Sequence, residues 1–324
     1  MTKILGIGNA LVDILTMVED EALLATLNLP KGSMQLVDGS TAVLVETTTQ
    51  NLSKSKASGG SAANTIHGLA ILGMETAFIG HVGNDATGDF FRIDMQQANI
   101  KPLLFTSDTP TGIANGMITK DGERTFATYL GAAIELSDHH LSKSLFEGYD
   151  YLYVEGYLVQ NEALLRKAMQ LAKESGLKIV LDLASYNVVE ANLPLLEDLL
   201  TNYVDIVFAN EDEAKAFTHQ EPEKALLALA EKCELAIVKV GAKGSLIKSR
   251  TAEAKVDAIK AIANDTTGAG DLFAAGFLYG YLQGYDLDKS GKIGSILAGN
   301  VVEVIGPKMD AARWQSIKAQ IAAL

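Results

Sequence analysis

Along much of the chain, short apolar runs alternate with longer stretches in which apolar residues return every three or four positions. The runs at 3–8, 151–154, 178–182, 205–209 and 236–240 have strand length and no polar alternation, so each predicts a strand buried on both faces. Between the later runs the period is helical, over 161–175, 193–202, 211–217 and 222–233. Repetition of strand and helix predicts an α/β fold with a mostly parallel central sheet flanked by helices. One region breaks the rhythm. Residues 112–130 read as two strands around Lys120-Asp121-Gly122-Glu123, where Asp-Gly is a hairpin signal. Short strand candidates also fall in 14–38. The expectation is a single domain over 1–324, with a small discontinuous β lid built from segments near 14–38 and 105–130.

Composition narrows the function classes. With 48% hydrophobic and 21% charged residues, the 324-residue chain can bury a large core. Its 27 Lys and Arg against 40 Asp and Glu give a net charge of −13, which argues against a nucleic-acid partner. No apolar run approaches the ~18 residues that cross a bilayer, so no membrane partner is expected. Cys233 is the one cysteine, and the start lacks signal-peptide character, so a reducing cytoplasm is the expected compartment. Cys233 is expected to pack as a small hydrophobe.

The strongest local pattern is Asn264-Asp265-Thr266-Thr267-Gly268-Ala269-Gly270-Asp271, followed at once by an apolar helical stretch. Small residues let successive N–H groups approach an anion, and the helix points its positive end at the same spot. Asp271, in the first turn, is placed to accept a proton from an attacking hydroxyl. The same residues also read as a helix start with an acidic first turn. A second cluster, Ser58-Gly59-Gly60-Ser61-Ala62-Ala63-Asn64, opens another apolar helix; Asn64 offers a donor and an acceptor to a polyhydroxyl ligand, or the segment is an ordinary helix entry. Asp13 can take two neighbouring hydroxyls or stand as an exposed loop carboxylate. Asn210-Glu211-Asp212-Glu213 follows an apolar strand, where open α/β sheets bind ligands, and suits a hydrated Mg²⁺ or a dipole-favoured helix start. Gly241-Ala242-Lys243-Gly244 is a further loop after a strand.

Several chemistries are excluded. Gly6-Ile7-Gly8-Asn9-Ala10-Leu11 has Leu11 where a dinucleotide fingerprint needs its third glycine, and no Walker-type phosphate loop occurs. The five histidines show no zinc spacing, and His139-His140 reads as a solvated helix start.

Taken in order, these motifs resemble the PfkB, or ribokinase, family of carbohydrate kinases over nearly the whole chain. The resemblance is carried by Gly59-Gly60 with Asn64 and by Asp265-Thr266-Thr267-Gly268-Ala269-Gly270-Asp271. Gly8-Asn9-Ala10-Leu11-Val12-Asp13, Gly122-Glu123-Arg124-Thr125 and Tyr129-Leu130-Gly131-Ala132 resemble the adenosine-kinase-like branch. It implies a ribokinase-like fold and ATP-dependent phosphoryl transfer to a primary hydroxyl. Asp271 would be the base, and the amides of Gly268, Ala269 and Gly270 would hold the phosphoryl group. Asp13, Gly59, Gly60 and Asn64 would grip the acceptor, with Glu155 where ribokinase-like members place a sugar-contacting carboxylate. Asn210 and Glu213 match an NxxE pattern that organises Mg²⁺ and phosphates through water. Gly241, Lys243, Gly244 and Asn300 would border the nucleotide. Asp265 and Thr267 match positions that in many members help hold K⁺.

Arg124 on the hairpin would either add positive charge at the phosphoryl group or remain a surface residue. Closure of the lid would exclude competing water. The acceptor implied first is adenosine or a related nucleoside, with ribose, fructose or a related sugar as the alternative and a non-catalytic sensor as a further rival. Lids of two chains would pair in a homodimer.

Overall fold

The computed structural model describes residues 2–18, 22–120 and 123–324. In chain order its strands are β1 (Lys3–Ile7), β2 (Leu11–Met17), β3 (Met34–Leu36), β4 (Lys54–Gly59), β5 (Glu75–Gly83), β6 (Ile100–Ser107) and β7 (Gly112–Ile118). They continue as β8 (Arg124–Tyr129), β9 (Tyr151–Glu155), β10 (Lys178–Asp182), β11 (Ile206–Asn210), β12 (Leu235–Lys239), β13 (Ser245–Ser249) and β14 (Glu253–Val256). Nine described strands form one sheet in the order β14-β13-β12-β11-β10-β9-β1-β5-β6. From β12 to β6 every pairing is parallel; β13 and β14 add an antiparallel edge.

The strand interiors explain this sheet. In β9, Leu152 and Val154 join one core while Tyr153 joins the other, and β11 divides Val207 and Ala209 from Ile206 and Phe208 in the same way. Both faces are therefore buried, as expected from runs without polar alternation. Helix Glu162–Glu174 covers one face; helices Ser61–Ile71, Ala269–Leu282 and Leu287–Val301 cover the other. The helical stretch at 222–233 is helical only over Pro222–Ala230, because the chain must turn to enter β12 at Leu235. Cys233 fills this turn, and burial pushes its thiol up to about 12, the behaviour of a packing residue.

A second sheet, ordered β3-β8-β7-β2-β4, lies at one end of the first. It includes β4, Lys54-Ser55-Lys56-Ala57-Ser58-Gly59, which carries no apolar alternation and is recruited by antiparallel pairing with β2. Alternation within the sheet sets its faces. Ala127 packs with Val18, Leu24, Val45 and Met117 on one side, while Phe126 and Thr128 turn to the other, as do Asp13 and Leu15 of β2. The tip of the β7–β8 hairpin, Asp121-Gly122, lies outside the described residues. His139 is exposed, as expected, but His140 is half-buried: it packs against His81 and Phe105 and takes the Ser137 N–H.

The chain leaves the first sheet at Gly8-Asn9-Ala10 and the second at Gly60, and Asn9 and Gly60 line a cleft of about 1300 Å³.

Candidate active site

Parallel strands that all run one way bring their last residues to a common edge. Here β9, β10, β11 and β12 are neighbours, and they end in Glu155, Asp182, Asn210 and Lys239. Asp182 stands opposite Glu155 and Asn210 opposite Lys239. Polar and charged groups that the buried strand interiors exclude are thus gathered in a row along the cleft.

The helix Ala269–Leu282 points its N-terminus at this row. Its N-cap is Gly268 with φ +75°, a left-handed conformation that suits glycine, and a Cβ there would lie 2.7 Å from Pro307 Cβ. Among the described residues no side chain caps the helix start, although the Ala269 N–H closes a turn onto the Thr266 carbonyl. Positive helix-end potential therefore faces the cleft beside Asp271.

Asp271 is half-buried and held on both oxygens. Ser61 Oγ donates to Oδ1 at 2.7 Å and Asn64 Nδ2 to Oδ2 at 2.9 Å. Burial pushes its carboxyl up to about 6, against these two hydrogen bonds, which pull it down. A carboxylate poised there is ionised at neutral pH yet basic enough to take a hydroxyl proton. Asn64 Oδ1 is buried without a partner among the described residues, and Asn64 lines the cleft.

Asp13 is not a loop residue. It lies in β2, 9% exposed, and a Cβ at Gly59 would sit 2.4 Å from its carboxylate. Gly59 therefore makes room for Asp13 rather than lining the cleft itself, which Gly60 does. Burial pushes Asp13 up to about 7, opposed by the Lys308 ammonium and reinforced by Asp271. Lys308 is itself fixed by Ser58 Oγ at 2.9 Å and Asp94 Oδ2 at 3.2 Å.

Glu155 accepts from Asn9 N–H at 2.8 Å, Asn9 Nδ2 at 2.7 Å and Ala62 N–H at 2.9 Å. It ties the exit of β1 to the start of helix Ser61–Ile71. Burial nonetheless pushes it up to about 7.

Asn210 and Glu213 form a reciprocal capping box on helix Glu211–Thr218. Glu213 Oε1 and Oε2 accept from Asn210 Nδ2 and N–H, each at 2.7 Å. Burial raises Glu213 to about 7, opposed by the Lys239 ammonium. Direct metal ligation by Glu213 would break the box, and among the described residues no group of three or more His, Cys, Asp or Glu forms a cage for an ion. Both residues line the cleft, so they fit a cation that keeps its waters.

Gly241 and Gly244 border the cleft, but Lys243 is exposed outside it. Asn300 also faces away: its side chain donates to the Ile296 carbonyl, and Gly299 and Ala298 of the same helix line the wall instead. Arg124 is not a surface residue. Its side chain is 10% exposed and docks the lid hairpin on the Asp265 carboxylate, within reach of Thr267 Oγ1 and the Asn264 carbonyl at 3.5 Å each. Asp265 also accepts from Thr267 N–H at 2.8 Å and Gly306 N–H at 2.6 Å. The guanidinium thus already compensates the carboxylate expected to help hold K⁺, and Asp265 and Thr267 do not fit that ion while Arg124 is docked.

Asp182 and Lys239 escaped the motif reading, as did Ser61 and Lys308. A charged residue closing an otherwise apolar strand, as in Ala236-Ile237-Val238-Lys239, was the available signal for the first two. Lys239 Nζ donates to Asp182 Oδ2 at 2.9 Å, and Asp182 Oδ1 takes the Ala184 N–H at 3.0 Å. Burial works against the Lys239 charge, but Asp182 and Glu213 outweigh it and raise its pKa.

Residues 33–312 match the model of the pfkB family carbohydrate kinases. A probable sugar kinase from Rhizobium etli CFN 42 is 34% identical, with a TM-score of 0.87 over 99% of each chain. The adenosine kinase of Sinorhizobium meliloti is 33% identical, with a TM-score of 0.86 over 98% of this chain and 99% of that one. The adenosine kinase of Schizophyllum commune is 28% identical over 98% of each chain. The fold is ribokinase-like, and the chain belongs to the PfkB family, phosphotransferases that act on a hydroxyl group of a sugar or nucleoside.

Proposed function

We propose that this PfkB kinase phosphorylates a nucleoside from ATP, with adenosine the first acceptor to test and Asp271 as the base. The observation that carries the nucleoside reading is the apolar lid-side wall of the cleft. Met34, Leu36 and Ile134 line it while 68%, 64% and 64% exposed, beside Leu15, Phe126 and Leu136. Large apolar side chains held open to water next to a hydroxyl-binding carboxylate suit a flat base joined to a ribose. A free sugar would leave that wall wet. Glu155, the expected sugar contact, already spends its oxygens on Asn9 and Ala62.

In this reading Asp13 and the unpartnered Asn64 Oδ1 hold the ribose hydroxyls and turn the primary hydroxyl toward Asp271. The start of helix Ala269–Leu282 faces the terminal phosphate, and the nucleotide runs past Gly241, Gly244 and Gly299. Phosphoryl transfer needs alignment and charge stabilisation more than covalent help, so a helix end, a base and a closed lid suffice on the protein side. Asn210 and Glu213 would hold a magnesium ion through its waters, and that ion would supply charge neutralisation. The docked Arg124 makes K⁺ dispensable in the parent enzyme.

ADP release measured with adenosine, ribose and fructose tests the acceptor. The expected result is turnover with adenosine at a kcat/KM at least ~10²-fold above either sugar, the worth of filling a built recognition site. Equal or better turnover of ribose or fructose overturns the nucleoside reading in favour of a sugar kinase.

A further inference from the structure

We propose that Lys239 is a catalytic residue of this kinase, a built-in cation that contacts the transferring phosphoryl group beside the start of helix Ala269–Leu282. Its ammonium lies where that contact is made. A Cβ at Gly270 would sit 3.1 Å from Lys239 Nζ, so the ammonium packs against the first turn of the helix. The side chain is 14% exposed and lines the cleft. Asp182 takes one of its three hydrogens at 2.9 Å, fixing the direction of the others. A lysine serving only to neutralise Asp182 has no need to reach the cleft; this one closes β12 at the ligand-facing sheet edge.

The chemistry balances on groups already in place. The acceptor oxygen loses its proton to Asp271 and forms the new bond to phosphorus. The bond from phosphorus to the bridging oxygen breaks, and its electron pair leaves on the β-phosphate of ADP. Charge on the transferring group lies on its peripheral oxygens, and a preorganised ammonium beside them stabilises it without moving. The inference rests on the proposed position of the donor's terminal phosphate at this helix start, and it adds a residue that the motifs do not contain.

The test compares the parent with Lys239→Met, Lys239→Arg and the double variant Asp182→Asn/Lys239→Met, which leaves no buried carboxylate unpaired if the single change fails to fold. Calorimetry gives Kd for Mg²⁺-bound adenylyl imidodiphosphate and for Mg²⁺-bound ADP; their ratio isolates the third phosphate. Loss of a charged contact should raise the imidodiphosphate-to-ADP ratio of Kd values by about tenfold or more. It should lower kcat by roughly 10²–10³-fold, with Arg restoring part of both. A folded double variant with the parent's ratio and kcat overturns the lysine contact alone. A parent that binds neither nucleotide overturns the donor site and the contact with it.

Discussion

Removing the Ser61 hydroxyl should move the acid limb of the pH profile, because that hydroxyl helps keep Asp271 ionised. Burial places the Asp271 carboxyl at about 6, and Ser61 Oγ at 2.7 Å is one of two side chains holding it down. A hydrogen bond to a charged group is worth ~1.5–3 kcal/mol, and one pKa unit corresponds to about 1.4 kcal/mol. Cleft water replaces part of the lost bond in Ser61→Ala, so the rise is about one unit. At pH 6 the ionised fraction then falls from about half to about a tenth, and kcat/KM should drop about fivefold. At pH 8.5 the variant should match the parent. Initial rates of ADP release at limiting acceptor, from pH 5.5 to 9, read this directly. Asp13 and Glu155 ionise in the same range, but the Ser61 hydroxyl bonds to Asp271, so only the limb belonging to Asp271 should shift. A uniform loss at every pH, with the limb unmoved, would falsify the assignment of Asp271 as the titrating base.

Three further outcomes follow from the same geometry. Asp13 binds its proton more tightly folded (about 7) than unfolded (3.8), so its ionisation weakens the fold as pH rises through that window, by at most about 4 kcal/mol. Asp13→Asn should therefore melt higher than the parent at pH 8 and level with it near pH 4; a lower melting temperature at pH 8 refutes the argument. Arg124→Ala frees the Asp265 carboxylate, so turnover should become K⁺-dependent in the variant while the parent ignores K⁺, read by rates in K⁺ against tetramethylammonium salts. Leu36→Ser, at a residue 64% exposed, should leave stability within about 0.5 kcal/mol. It should raise KM for adenosine roughly tenfold through lost apolar contact, with any sugar turnover unchanged.

Much of the parallel sheet was legible because strands buried on both faces say so in an unbroken apolar run, as 178–182 and 205–209 do; β5, interrupted by Thr76 and His81, and the half-buried β6 gave no such signal. The helix opening at Gly268 was legible from its glycines for a different reason: a left-handed N-cap and a tight approach to Pro307 leave little choice of residue. Strand β4 was not, since Lys54-Ser55-Lys56 has no pattern of its own and is a strand only because β2 lies beside it. Asn300 and Lys243 failed for want of a phase. One step along a helix or a short loop turns a side chain from cleft to back, and no motif fixes that rotation to the residue. Lys239 and Asp182 were hidden by lying inside segments already read as structure, where a single charge at a strand end looks like punctuation.

The lid and the base share one electrostatic problem. The cleft gathers Asp13, Glu155, Asp182, Glu213 and Asp271 around Lys239, with Lys308 behind Asp13. Burial and crowding push four of these carboxyls to between about 6 and about 7, the range a carboxylate needs to serve as a base near neutral pH. In the proposed reading the same crowding opposes an anionic donor until cations offset it, and the helix end, Lys239 and a phosphate-bound metal would act as one set. Arg124 joins the β7–β8 hairpin to that set: it docks on Asp265, in the loop that carries the helix start. The hairpin and the loop of the cradle are thus braced against each other through Arg124, so a change of charge at Asp265 would be felt at both.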